Sequence, residues 1–133
     1  MNRSEIIEYI QNTFDVIGER LWLKYPDYIV FRNKDNKKWF AIIMDIEKSK
    51  LGLKGKGKID IIDLKCESLL IGSLIHNKGY LPAYHMNKNN WITALIDEHT
   101  NIDEIKDLIH LSYEIIDKKK QIIKVREGKQ DDF

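Results

Sequence analysis

The residues best suited to chemistry crowd one short stretch, Ala83–Asp97, in which Tyr84, His85, Asn87, Lys88 and Trp91 stand among further asparagines at 89 and 90. Lys88 can pair with a phosphate, the asparagines can hydrogen-bond to phosphates or base edges, and His85, Tyr84 or Trp91 can stack. The same residue types also suit a tight turn. Asparagine tolerates positive backbone dihedrals, and Tyr84 and Trp91 serve equally well as sheet residues packed beneath a helix.

A second basic group lies upstream. Lys48, Lys50, Lys54, Lys56 and Lys58 fall within eleven residues that contain no acid, and Gly52, Gly55 and Gly57 loosen the backbone between them. Such a loop can lie along phosphates and neutralise them with little base discrimination, or it can be an exposed hairpin tip kept soluble by lysine. The run Gly52–Lys58 comes within one residue of a phosphate-binding P-loop, but Ile59 stands where a Ser or Thr should hold magnesium, and a strand-like run follows instead of a helix. Nucleotide hydrolysis is rejected on both counts.

Lys38 precedes a strand-like run and Lys65 ends another, so antiparallel pairing would place both at one sheet edge with Lys88. Arg32 and Lys37 would join them. His76, His85, His99 and His110 lack the spacing of a metal motif, and Cys66 has no cysteine partner. We therefore assign no metal, no cofactor and no catalytic residue, and expect no enzyme.

The elements that must position these groups follow from hydrophobic spacing. Ser4 reads as the cap of a first helix with Ile6, Ile7, Ile10, Phe14 and Ile17 on one face and Gly18 as its stop. Residues 28–32 and 39–44 read as a hairpin, Ile59 to Lys65 as a third strand, and Leu69, Leu70, Leu74 and Ile75 as a short helix. Two strands flank the asparagine-rich turn. A last helix starts at Asn101–Glu104 and buries Ile105, Leu108, Ile109, Ser112 and Ile116. The order α-β-β-β-α-β-β-α lacks the alternation of a parallel protein and predicts an α+β fold with an antiparallel sheet of about five strands packed by helices. One domain over residues 1–119 is expected, with 120–133 as a frayed C-terminal extension.

The 133 residues carry 22 basic and 21 acidic side chains, so a net charge of +1 excludes a global field for polyanions and confines any such site to a local patch. A single cysteine suits a reducing compartment, and neither a secretory core nor a long apolar span is evident. We expect a cytoplasmic protein with no membrane association.

Tyr84-His85-Met86-Asn87-Lys88 followed by Trp91-Ile92, with Lys38-Trp39-Phe40-Ala41 and Asp63-Leu64-Lys65 upstream, resembles the MmcQ/YjbR-like family. The resemblance runs from the first helix to about Lys119 and implies a CyaY-like (frataxin-like) fold, also described as a double-wing DNA-binding motif. Lys38, Trp39, Lys65, Tyr84, His85, Asn87, Lys88 and Trp91 occupy the positions carried over. Asn89 and Asn90 stand where relatives have a basic residue and a histidine, which removes charge from the implied surface. The expected function is non-enzymatic DNA binding, with Lys38, Lys54, Lys56, Lys58, Lys65, His85, Asn87 and Lys88 on nucleic acid and Tyr84 and Trp91 as stacking or pocket residues. The alternative is a module for a protein partner or small ligand, in which Tyr84, His85 and Trp91 form a pocket. Iron binding ranks lower, because Glu5, Glu8, Asp15 and Glu19 are a sparse acidic set.

Overall fold

The computed structural model describes residues 2–131, with side chains through Asp117. Helix α1 runs Arg3–Phe14, and its cap is Asn2, not Ser4. Asn2 holds the extended conformation that a cap needs, and its side-chain oxygen accepts the Glu5 amide at 3.0 Å. The helix also ends before Gly18: Asp15 turns left-handed at φ 53°, and Ile17 falls off the apolar stripe at 81% exposure. Gly18 serves packing instead, since a Cβ there would lie 2.5 Å from Ile29 Cγ2.

Five strands follow, β1 (Ile29–Arg32), β2 (Trp39–Glu47), β3 (Lys58–Lys65), β4 (Tyr80–Pro82) and β5 (Trp91–Ile96), with α2 (Ser68–Leu74) after β3 and α3 (Ile102–Asp131) last. They form one antiparallel sheet in the order β1-β2-β3-β5-β4. This is the α+β architecture that the element order predicts. Among the described residues, no helix is long and apolar enough to cross a membrane.

Strand side chains alternate between faces, and each face has its own core. On one, Ile29, Ile43, Ile62, Leu64, Ile92 and Ala94 meet Ile6 and Ile10 of α1 and Ile105 and Ile109 of α3. Each fully buried isoleucine there contributes about 2 kcal/mol of transfer free energy. The α3 stripe of Ile105, Leu108, Ile109, Ser112 and Ile116 is buried as its spacing predicts, and Asn101 accepts the Glu104 amide at 3.2 Å. Helix α2 differs from its expected stripe: Ile71 and Leu74 face inward while Leu69 is 91% exposed. The expected fraying of residues 120–133 falls where side chains, and for 132 and 133 the backbone too, lie outside the described residues.

Among the described residues, no α-helix packs on the other face. Val30, Ile42, Met44 and Ile61 are roofed by Trp22 and Tyr28 from the loop after α1 and by Tyr84 and Met86 from the β4–β5 turn. Trp22 packs edge-on to both Tyr28 and Trp39. This loop-roofed face carries the candidate site.

Candidate nucleic-acid interface

Antiparallel connection brings the last residues of β1 and β3 and the first residues of β2 and β5 to one end of the sheet. Lys38, Lys65 and the turn bearing Lys88 therefore share that end. The buried Asn33 fixes the approach of Lys38. Its amide donates to the Lys38 carbonyl at 2.7 Å and its side chain donates to Asp117 Oδ1 at 2.7 Å.

A bulge decides which face the aromatic groups take. Phe31 pairs with Ala41 but Arg32 pairs with Trp39, which leaves Phe40 as an extra residue. Phe40 and Ala41 both enter the helix-side core, and Trp39 turns to the loop-roofed face. Regular alternation would have put Trp39 beneath the helices. The β2–β3 ladder stops at Ala41–Leu64, and beyond it the buried Ser112 hydroxyl takes over. It accepts the Lys65 amide at 2.9 Å and donates to the Phe40 carbonyl at 2.5 Å.

The result is a row of alternating cation and ring across four strand ends: Arg32, Trp39, Lys65, Trp91. The Arg32 guanidinium lies 5.6 Å from the Trp39 ring centre, and Lys65 Nζ lies 5.9 Å from that of Trp91. Both distances are within cation–π range. Arg32 also donates to Glu19 Oε2 at 2.7 Å. Trp91 is only 6% exposed and Tyr84 packs into the core beneath it, so both rings act as supports more than as open stacking surfaces.

The turn itself is held largely by Asn87. Its carbonyl accepts the amides of Asn90 and Trp91 at 3.1 and 3.0 Å, and its side-chain oxygen accepts the Asn89 amide at 2.9 Å. His85 is exposed in the left-handed region at φ 58°, with its ring against Tyr84 at 4.1 Å. Lys88 is exposed, and its Nζ donates back to the Ala83 carbonyl at 3.1 Å.

Lys54, Lys56 and Lys58 do not join this group. Their loop links the far ends of β2 and β3, and the seven residue steps from Lys58 to Lys65 span about 23 Å of extended strand. Lys58 Nζ also lies 3.4 Å from Asp45. Thus the residues expected to act together divide between the two ends of one hairpin.

Sequence reasoning missed Asp63 as a site residue. It is fully buried on the loop-roofed face, paired with Ile42 on one side and Thr93 on the other. Thr93 Oγ1 donates to Asp63 Oδ1 at 2.5 Å and accepts the Tyr84 amide at 2.8 Å. Asp63 Oδ2 is buried and has no hydrogen-bond partner among the described residues. Burial pushes the carboxyl up to about 7, against the opposing pulls of the Thr93 hydrogen bond and the Lys88 charge. The signal in the sequence was an acid at an alternate position with Ile59 and Ile61, both of which point to this face.

Cys66 is buried and its thiol is pushed up to about 11, chiefly by burial, which keeps it protonated at neutral pH. Among the described residues, no three His, Cys, Asp or Glu side chains are grouped to hold a metal ion.

These features define a small α+β protein whose helix-backed antiparallel sheet presents a loop-roofed face with a basic, aromatic end. The chain belongs to the YjbR family, whose pattern it matches over residues 13–115. It is 35% identical over 115 residues to the Bacillus subtilis protein YyaQ, covering 86% of this chain and 98% of that one. A Pseudomonas syringae protein in crystal form superposes with a TM-score of 0.84 at 45% identity, covering 86% of this chain and 98% of that one. A Deinococcus radiodurans crystal structure at 17% identity shares the fold, with a TM-score of 0.63 over 86% of this chain and 80% of its own.

Proposed function

We propose that the protein binds DNA without catalysing a reaction, gripping backbone phosphates at the sheet end formed by Arg32, Trp39, Lys65 and Trp91, with Lys38 and Lys88 alongside. The observation that carries this reading is the alternating cation–ring row. A ring beneath a long basic side chain limits its wandering, so less side-chain entropy is lost when a phosphate arrives. The row reads charge rather than sequence, and its affinity comes largely from counterion release.

The lysine loop provides a second contact. At 3.4 Å of rise per base pair, the ~23 Å between the hairpin ends corresponds to about seven base pairs, so one duplex can touch both. The wild type is therefore expected to bind duplex DNA with steep salt dependence, and Lys38→Ala/Lys65→Ala/Lys88→Ala and Lys54→Ala/Lys56→Ala/Lys58→Ala are each expected to flatten it. Fluorescence anisotropy over a salt series measures this. No binding at low salt, or an unchanged slope in both folded variants, would remove the DNA reading.

A further inference from the structure

We infer that Asp63 is a positioning residue for the 83–90 turn: its buried carboxyl, acting through Thr93, decides whether the turn and Lys88 are held to the sheet or released to an outside anion. This rests on the phosphate-binding reading for its consequence but not for its geometry.

A buried carboxylate with one oxygen unpartnered is a costly group, and folding keeps it only where neighbours compensate or where a proton resolves it. Asp63 has one hydrogen bond, from Thr93, while its Oδ2 has none. The Thr93 hydroxyl passes that bond on to the Tyr84 amide, the point at which the turn joins the sheet. From β2 the neighbour is the apolar Ile42, and from the turn it is Lys88, whose positive charge acts on the carboxyl although its ammonium rests on the Ala83 carbonyl at 3.1 Å. Tyr84, packed on this same face, and the exposed His85 carry the other ionisable side chains of that turn.

The ionised carboxylate strengthens the Thr93 bond, polarises the Thr93–Tyr84 link and draws Lys88 inward. A proton on Asp63 weakens all three and leaves the Lys88 charge to an external phosphate. Burial places this change near neutral pH. DNA affinity therefore rises as pH falls through the Asp63 titration.

The test has two arms, both run with His85→Gln present to remove the exposed imidazole that packs against Tyr84. In the first, NMR follows the Asp63 carboxyl carbon and the Tyr84 amide proton from pH 5 to 9 without DNA. The two are expected to titrate together, and the Tyr84 transition is expected to vanish in Asp63→Asn. A Tyr84 amide that does not follow Asp63 overturns the latch. In the second, duplex DNA affinity is measured at pH 6 and 8. A gain on the order of five-fold at the lower pH is expected, the scale of a single charge interaction. Asp63→Asn should show the tighter binding at both pH values. If Asp63→Asn retains the pH dependence, the latch fails. If the Tyr84 arm succeeds and no DNA binds at either pH, the latch stands and the DNA reading fails instead. Should Asp63→Asn not fold, Thr93→Val, which removes the relay hydroxyl, is expected to uncouple the Tyr84 amide from Asp63 in the first arm.

Discussion

The two faces of the sheet use the same strands and opposite rules. On the helix side, alternate residues form a closed apolar core in which the Ser112 hydroxyl has both a donor and an acceptor and Asn33 at the hairpin turn is fully engaged. Among the described residues, the one buried unpartnered side-chain atom on this side, Arg3 Nη2, belongs to a side chain whose Nε is paired with Asp60 at the rim. On the loop side, the core is smaller, its roof is made of loop aromatics, and it encloses Asp63 with an oxygen unpaired. The helix face seats its buried polar groups in hydrogen bonds that tie strands and helix together, whereas the loop face keeps a buried carboxylate with an unpaired oxygen beside its basic residues. Proteins commonly keep such costs where function needs them.

Substitutions can break this contrast. Ile109→Ala, at a fully buried position beneath the sheet, is expected to cost about 3–4 kcal/mol in urea unfolding, while the salt slope of DNA binding stays unchanged. A loss of slope in the folded variant would mean the faces are not separable.

Asp63→Asn should act in the other direction. Its folded-state carboxyl is raised from 3.8 to about 7, so the folded protein holds the proton more tightly than the unfolded chain. That contribution is fully present below pH 4 and is lost as pH rises through 7, which makes ionised Asp63 a burden at pH 8. Asn removes the burden. A stability gain on the order of 2–3 kcal/mol at pH 8 and almost none at pH 4 is expected from denaturant melts; equal gains at both pH values would show that ionisation is not the cause.

Ser112→Ala links the two faces. It leaves the Lys65 amide and Phe40 carbonyl without their bridge, at about 2 kcal/mol. Because those groups flank the bulge that aims Trp39 and Lys65, DNA binding should weaken as well. Retained affinity in a destabilised variant would show that the bulge holds without Ser112. The smallest effect is expected at Leu69→Ala, within about 0.5 kcal/mol, since that side chain is in solvent. A large loss there would reveal a partner surface on α2.

Much of the fold was legible because its periodicities are strong. The α3 stripe and the order of elements along the chain follow from apolar spacing, and Asn101 was recognisable as a cap from its position before an acidic first turn. Ser4 misled because Asn2, two residues earlier, is an equally good cap and has the required extended backbone. Leu69 misled because a seven-residue helix offers too few turns to fix its buried face.

The site was legible in its parts but not in its arrangement. Lys38, Lys65 and Lys88 could be placed at one end by antiparallel pairing alone, since strand direction needs no side-chain detail. The same pairing sends the lysine loop, which joins β2 to β3, to the opposite end, a consequence that reading the two basic groups as one site passed over. Trp39 was beyond reach for a sharper reason. A single extra residue at Phe40 reverses every side chain before it, and nothing in Lys38-Trp39-Phe40-Ala41 announces a bulge.

Local propensity and spacing thus determined the elements, their order and the residues available for a polyanion. Those are properties of neighbours along the chain. Tertiary structure alone decided that Ser112 would bridge a broken ladder, that Trp39 would face away from the helices, and that Asp63 would be sealed under the turn carrying Lys88. Burial and hydrogen-bond partners come from residues distant in sequence, and they determine what a carboxyl costs and which direction a ring faces.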